Sequence, residues 1–356
     1  MKQELFKFLA IAATVLLSAC STNSNVDLDK LHPADKVVIA YVTSWSKTMP
    51  DPTYLTHINY AFGHVNDTYN GVRIDNEERF RDIVKLRKKY KHVKVILSIG
   101  GWGSGNFSEM AADSTNRALF AQDCKRVVDE FKLDGIDIDW EYPTSSMAKI
   151  SSSENDTENY TLLMRDIRAA IGEDKILSHA TASTAKYIDH AAVDQYIDYT
   201  NVMSYDLGWA PFHNSPLYQS EIVDEVCVDD AINAHLAAGV PKEKLVMGLA
   251  FYGRGIKGFP RGRDLTKVHE LEGYTYVWDT LAQVPYLLTS EGEFAFGYEN
   301  LESLTIKCNY ILDRELMGAM FWSYDGDNEN GDLRRTVFTT LNPIIEDEEQ
   351  KFASFL

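Results

Sequence analysis

The decapeptide from Asp134 to Pro143, DGIDIDWEYP, sets four acidic side chains, Asp134, Asp137, Asp139 and Glu141, among residues that otherwise have the character of a buried strand. An ionised carboxylate is costly to remove from water without a partner, so such positions belong to a structural ion network or to a chemical site. Side chains two apart on a strand share a face, which puts Asp137, Asp139 and Glu141 in one column and turns Trp140 the other way, into packing. Three carboxyl groups at that spacing cannot all ionise cheaply, so their titrations must be coupled, with a proton shared between Asp137 and Asp139. Such coupling suits an acid that has to be protonated near neutral pH. Asp134 lies off the column, and a structural role at the entrance of the strand is expected for it.

Two kinds of chemistry use clustered carboxyl groups. Glycoside cleavage usually needs two of them on opposite sides of the scissile bond, roughly 5 to 10 Å apart. Asp139 and Glu141 are neighbours on one face and cannot flank a sugar in that way. The nucleophile of a glycosidase would then come from elsewhere, and assistance by an N-acetyl group of the substrate is one route. Metal binding is the other reading, and without nearby histidines it would favour a hard cation such as Mg²⁺ or Ca²⁺.

A column of this kind needs a scaffold that buries one strand face, and short apolar runs recur along the whole chain. They are VVIAYV from Val37, HINYAFGHV from His57, VKVILSIGG from Val93, GIDIDWEY from Gly135, ILSHATAS from Ile176, YTNVMSYDL from Tyr199, LVMGLAFYG from Leu245 and GAMFWSYD from Gly318. Between them lie stretches such as EERFRDIVKLRKKY and RALFAQDCKRVVDEFKL, whose apolar residues fall at helical spacing. Eight strand–helix alternations predict an α/β fold, a (β/α)8 TIM barrel over residues 36–345, with the column facing its lumen and Glu141 at the C-terminal mouth. The stretch 255–301, rich in Gly, Tyr and charge, breaks the rhythm and predicts a small α+β insertion between strands seven and eight.

At 356 residues the chain is long enough for one such barrel, and 45% hydrophobic with 25% charged residues is an ordinary globular composition. The formal net charge of -18 argues against nucleic acid as a partner, because it repels phosphate backbones. Before the first strand, Lys2 and Lys7 precede the run FLAIAATVLLSA, which is too short for a permanent membrane span and is expected to be a signal peptide, residues 1–19. Its end, LSAC, resembles the lipobox of bacterial lipoproteins, so Cys20 is the expected lipidation site and residues 20–35 a polar tether. Cys124, Cys227 and Cys308 are widely spaced, which predicts buried thiols and neither a disulfide framework nor a zinc site.

DGIDIDWEYP resembles the catalytic signature DxxDxDxE of glycoside hydrolase family 18, the chitinase family. SIGGW at Ser98–Trp102, MSYD at Met203–Asp206, FYGR at Phe251–Arg254 and GAMFWSYDGD from Gly318 resemble the family's motifs on the third, sixth, seventh and eighth barrel strands. The resemblance implies a retaining hydrolase of β-1,4-linked N-acetylglucosamine that needs no cofactor or metal. Glu141 would protonate the glycosidic oxygen, Asp139 would orient the substrate acetamide, Tyr205 would hold the acetamide carbonyl, and Asp137 would hold the shared proton. Tyr41, Phe62, Ser98, Trp102, Met203, Asp206, Tyr252, Arg254 and Trp322 are the residues it implies around the substrate, with Trp322 as the floor beneath the cleaved sugar and Trp102 toward the leaving-group side. Tryptophans independently point to a sugar-lined mouth, since Trp45, Trp102, Trp209 and Trp322 fall at the mouth ends of expected strands. His57, His64 and His179 are expected to be loop or core residues.

Chitin or chito-oligosaccharides are the leading substrates; an endo-β-N-acetylglucosaminidase of N-glycans and an inactive lectin remain the alternatives. The expected state is a monomer held at the bacterial cell envelope, at the outer membrane or cell surface, by its N-terminal lipid alone. Cys20→Ala should move the protein from the membrane to the soluble fraction with unchanged specific activity. Recovery of the wild-type protein in the soluble fraction without detergent would contradict lipidation.

Overall fold

The computed structural model describes residues 34–343 apart from 261 and 263. Residues 1–33, with the expected signal peptide, Cys20 and nearly all of the tether, lie outside the described residues. No described helix is long and apolar enough to cross a membrane.

In chain order the strands are β1 (Val37–Thr43), β2 (His57–Val65), β3 (Val72–Ile74), β4 (Lys94–Gly100), β5 (Gly135–Asp139), β6 (Ile176–Ala182), β7 (Tyr199–Met203), β8 (Leu245–Ala250), β9 (Arg254–Gly255), β10 (Thr275–Asp279), β11 (Val284–Leu288), β12 (Phe294–Gly297) and β13 (Gly318–Trp322). β1, β2, β4 to β8 and β13 are parallel, and β1 pairs with both β2 and β13, which closes an eight-stranded barrel. These are the eight strands expected from the sequence. The outer helices are α1 (Glu77–Lys85), α2 (Phe107–Ala112), α3 (Ser114–Phe131), α4 (Asp156–Ile171), α5 (His190–Val193), α6 (Val228–Ala237), α7 (Leu301–Asp313) and α8 (Asp332–Leu341). The link from β1 to β2 carries a 3-10 turn, Pro52–Tyr54, in place of a helix.

Alternation along each strand divides the core in two. Ile136, Ile138 and Trp140 join the apolar layer between barrel and helices, whereas Ile39, Tyr41, Ile96, Tyr199, Val246 and Met320 cluster in the lumen. Trp140 stacks on Phe107 with 5.2 Å between ring centroids and an interplanar angle of 13°, so it packs against the helical layer as its parity predicts. α3 starts where Asp113 accepts hydrogen bonds from the amides of Thr115 and Asn116, and its buried face carries Phe120, Cys124, Val127, Val128 and Phe131. Lys132 then ends it in the left-handed conformation and delivers the chain to β5. At that entrance Asp134 accepts from Arg87 Nη1 and from the amide of Val95, each at 2.8 Å. Cys124, Cys227 and Cys308 are buried free thiols.

The insertion is a four-stranded antiparallel sheet in the order β10-β11-β12-β9. Its expected helical part is a 3-10 segment, Leu265–Glu270, with no α-helix among its described residues, because the chain there is spent on hairpins. Tyr286 and Phe294 of this sheet pack edge-on against the buried ring of His213 in the loop after β7, and His213 Nε2 lies 3.1 Å from Asp279 Oδ2. β9 opens the insertion, so Arg254 projects from its first residue beside the barrel mouth.

Candidate active site

Strand register explains the centre of the site. Ser98, Asp137 and Ser178 are consecutive register partners on β4, β5 and β6, all facing the lumen. Asp137 Oδ2 accepts from Tyr41 Oη at 2.9 Å and Ser98 Oγ at 2.8 Å; Oδ1 accepts from Ser178 Oγ at 2.7 Å and Asn201 Nδ2 at 3.2 Å. Tyr41 and Asn201 reach it from β1 and β7, and Asn201 Nδ2 is also 3.3 Å from Tyr41 Oη. Four donors from four other strands thus meet one fully buried carboxylate.

This arrangement corrects the expected proton sharing. The acceptor positions of Asp137 are filled by hydroxyl and amide donors, leaving none directed at Asp139. Burial raises the Asp137 carboxyl above its ordinary range, and the hydrogen bonds of Ser178, Ser98, Tyr41 and Asn201 pull it back. Asp139 has no such support: burial holds it well above the carboxylate range, the charges of Glu141 and Asp137 add to the shift, and its Oδ1 is buried without a hydrogen-bond partner. Of the two, Asp139 carries the proton. Glu141 is pushed by burial up to about 7, with a hydrogen bond from Tyr142 opposing the shift and the charge of Asp206 adding to it.

Above the column opens a cavity of about 330 Å³ lined by Asp139, Glu141, Tyr205, Asp206, Met203, Phe62, Trp102, Trp322, Trp45, His64, Asp75 and the backbone of Gly100 and Gly101. Gly100 takes φ +133°, and a Cβ there would sit 2.0 Å from the carbonyl oxygen of Asp139; glycine is what lets β4 pass so close to the acid. Gly248 does the same for Tyr205, whose ring carbon Cε1 would lie 2.9 Å from a Cβ on it. Trp322 stacks on Phe62 at 5.7 Å and 20°, with Trp45 at 6.3 Å, so the floor is a set of aromatic faces. Trp45, Trp102 and Trp209 are 65%, 60% and 60% exposed.

Not every residue implied around a substrate reaches the cavity. Tyr41 and Ser98 are buried beside Asp137 and spend their hydroxyls on it. Tyr252 and Arg254 stand behind Asp206: Tyr252 Oη donates at 2.7 Å, while Arg254 Nε and Nη2 bind the two carboxylate oxygens at 2.8 and 2.7 Å. The Arg254 guanidinium also lies over the Trp209 ring, 4.1 Å from its centroid. Ser178, Asn201 and Asp75 were not singled out from the sequence, and His64, expected to be a loop or core residue, is on β2 and lines the cavity. His64 is two residues past Phe62 on β2 and lines the same cavity, beyond an irregularity at Ala61–Gly63 that strand parity does not predict. Among the described residues no group of three or more His, Cys, Asp or Glu side chains is arranged to hold a metal ion.

The arrangement supplies a protonated carboxyl group near neutral pH beside an aromatic sugar platform, which is the equipment of acid-catalysed glycoside chemistry. Comparison with known proteins agrees. Residues 37–327 match the family described as glycosyl hydrolases family 18. Chitinase A1 of Niallia circulans is 30% identical over 386 residues, covering 81% of this chain and 55% of that protein, so the chain spans about half the length of this relative. A family 18 N-acetylglucosaminidase of Paenibacillus barengoltzii superposes with a TM-score of 0.78 at 31% identity, covering 86% of this chain and 99% of that one. A chitinase of Rhizomucor miehei gives 0.78 at 25% identity, over 86% of this chain and all (100%) of that one. A family match across nearly the whole barrel, with the carboxyl column at its mouth, means that the chain belongs to glycoside hydrolase family 18 and is a chitinase-like glycosidase.

Proposed function

We propose that the protein is a retaining hydrolase of β-1,4-linked N-acetylglucosamine, acting on chitin or chito-oligosaccharides with the substrate's acetamide as nucleophile. The observation that carries this reading is the state of the cavity's carboxyl groups. Asp139 and Glu141 share one wall, Asp206 is clamped by Arg254 and Tyr252, and Asp75 is bound by His64 and Arg73. None is free on the far side of Glu141 to attack a sugar. The buried, unpartnered Oδ1 of Asp139 is an acceptor suited to an acetamide N–H.

In this mechanism Glu141 gives its proton to the glycosidic oxygen as the bond to C1 breaks. The acetamide carbonyl oxygen closes onto C1, forming an oxazolinium ring held by Asp139 and Tyr205. Water then attacks C1 and leaves its proton on Glu141, so configuration is retained and the enzyme returns to its starting state. Trp322 supports the sugar during its distortion, and the exposed indoles around the mouth favour a chain of sugars over a single residue. We further propose, from the LSAC sequence, that Cys20 anchors this activity at the cell envelope.

Product analysis by mass spectrometry on chito-oligosaccharides and on a high-mannose glycoprotein in parallel tests the substrate. Cleavage of the first set is expected, and its loss in Glu141→Gln with binding preserved; cleavage of the glycoprotein alone would assign the N-glycan activity instead. The pH profile tests the acid. Because the active form of Glu141 is protonated, kcat/KM should fall tenfold per pH unit above about 7. Asp206→Asn removes a charge that holds this proton in place and should move the limb to lower pH. An unmoved limb would deny that Asp206 acts on Glu141.

A further inference from the structure

Trp102 stands on a turn, Gly101 to Gly105, with little behind it. The amide of Gly101 donates to Asp139 O at 2.8 Å and that of Ser104 to Gly101 O at 2.9 Å, which fixes the near leg. Gly101 and Gly103 both have positive φ, at 92° and 83°. The far side of the indole faces a second cavity of about 260 Å³, lined by His64, Asp67, Arg73, Ser104 and Asn106 among others. The Trp102 ring meets Tyr142 only edge-on, at 6.4 Å.

His64 crosses the gap between this turn and the β2–β3 hairpin. Its Nε2 lies 2.9 Å from Asp75 Oδ2, and its Nδ1 lies 2.8 Å from Ser104 Oγ. Asp75 is ionised: burial pushes it up, but hydrogen bonds from His64 and Arg73 bring it below the ordinary carboxylate range. A carboxylate accepts only, so Nε2 donates to Asp75, and Nδ1 is the atom that hydrogen-bonds the Ser104 hydroxyl. The chain Arg73–Asp75–His64–Ser104 therefore runs from a barrel-side hairpin to a residue two positions beyond the indole.

We propose that His64 is a positioning residue for the leaving-group sugar: through Ser104 it holds the Trp102 turn so that the indole presents its face beside Glu141. This rests on the sugar hydrolysis proposed above. The consequence is selective. A substrate whose leaving group is a sugar needs the positioned indole; one whose leaving group is fluoride does not.

The test compares chitotetraose with chitobiosyl fluoride. Ser104→Ala should lower kcat/KM on chitotetraose by about three- to tenfold, the effect of one hydrogen bond, mainly through KM, and leave the fluoride unchanged. His64→Phe should match it on chitotetraose, and His64→Asn, whose amide can occupy the Nδ1 position, should restore most of the loss. In a Trp102→Ala background Ser104→Ala should have no further effect, because the tie acts through the indole. Equal losses on both substrates, no loss, or losses that multiply in the Trp102→Ala background would overturn the proposal. If the wild-type enzyme cleaves neither substrate, the hydrolase reading itself falls and this inference with it.

Discussion

The carboxylate of Asp137, buried in the barrel lumen and bound by four donors, is the constraint around which the rest of the site is arranged. It can stay charged there because Ser98 and Ser178 flank it in register and Tyr41 and Asn201 close over it from the opposite side. Burial, the charge of Glu141 and this anion beneath it together hold the Asp139 carboxyl well above the carboxylate range, so Asp139 keeps its proton. Glu141, third in the column, is in turn held near neutrality at the mouth. The contrast between Asp137 and Asp139 thus follows from the donors each receives, four against none, and Glu141 beyond the end of β5 keeps one, from Tyr142.

The insertion contributes to the same electrostatics from outside the barrel. Its first strand carries Arg254, which with Tyr252 fixes Asp206 in a bidentate clamp facing the cavity. Asp206 is therefore a placed charge, and its effect is felt at Glu141. Packing of Tyr286 and Phe294 on His213, in the loop after β7 that also bears Asp206, couples the position of the insertion to that of the charge.

Much of this was legible in the sequence because a strand's period of two is unforgiving: the eight apolar runs became the eight barrel strands, and the parity of DGIDIDWEYP separated Trp140 from the column. What was not legible required distance information that parity does not contain. Tyr41 and Ser98 face the lumen, but they are buried at the level of Asp137 and their hydroxyls are spent on it, which removes them from the cavity. Ser178 and Asn201 also sit at lumen-facing positions, yet serine and asparagine are ordinary filling for a barrel interior until register sets them against a carboxylate. Asp75 meets His64 because β3 folds back antiparallel on the end of β2, a three-residue strand that an eight-strand rhythm passes over. Proton sharing between Asp137 and Asp139 was the natural expectation from spacing; the filled acceptor positions of Asp137 overrule it.

The central claim is that Asp139 holds its proton while Asp137 beneath it is charged, and infrared difference spectroscopy at neutral pH reads this directly. Subtracting the spectrum of Asp139→Asn from that of the wild type should leave the C=O band of a protonated carboxyl group, with no carboxylate band lost. Loss of a carboxylate band in that difference, with no protonated band, would place the charge on Asp139 and contradict the account.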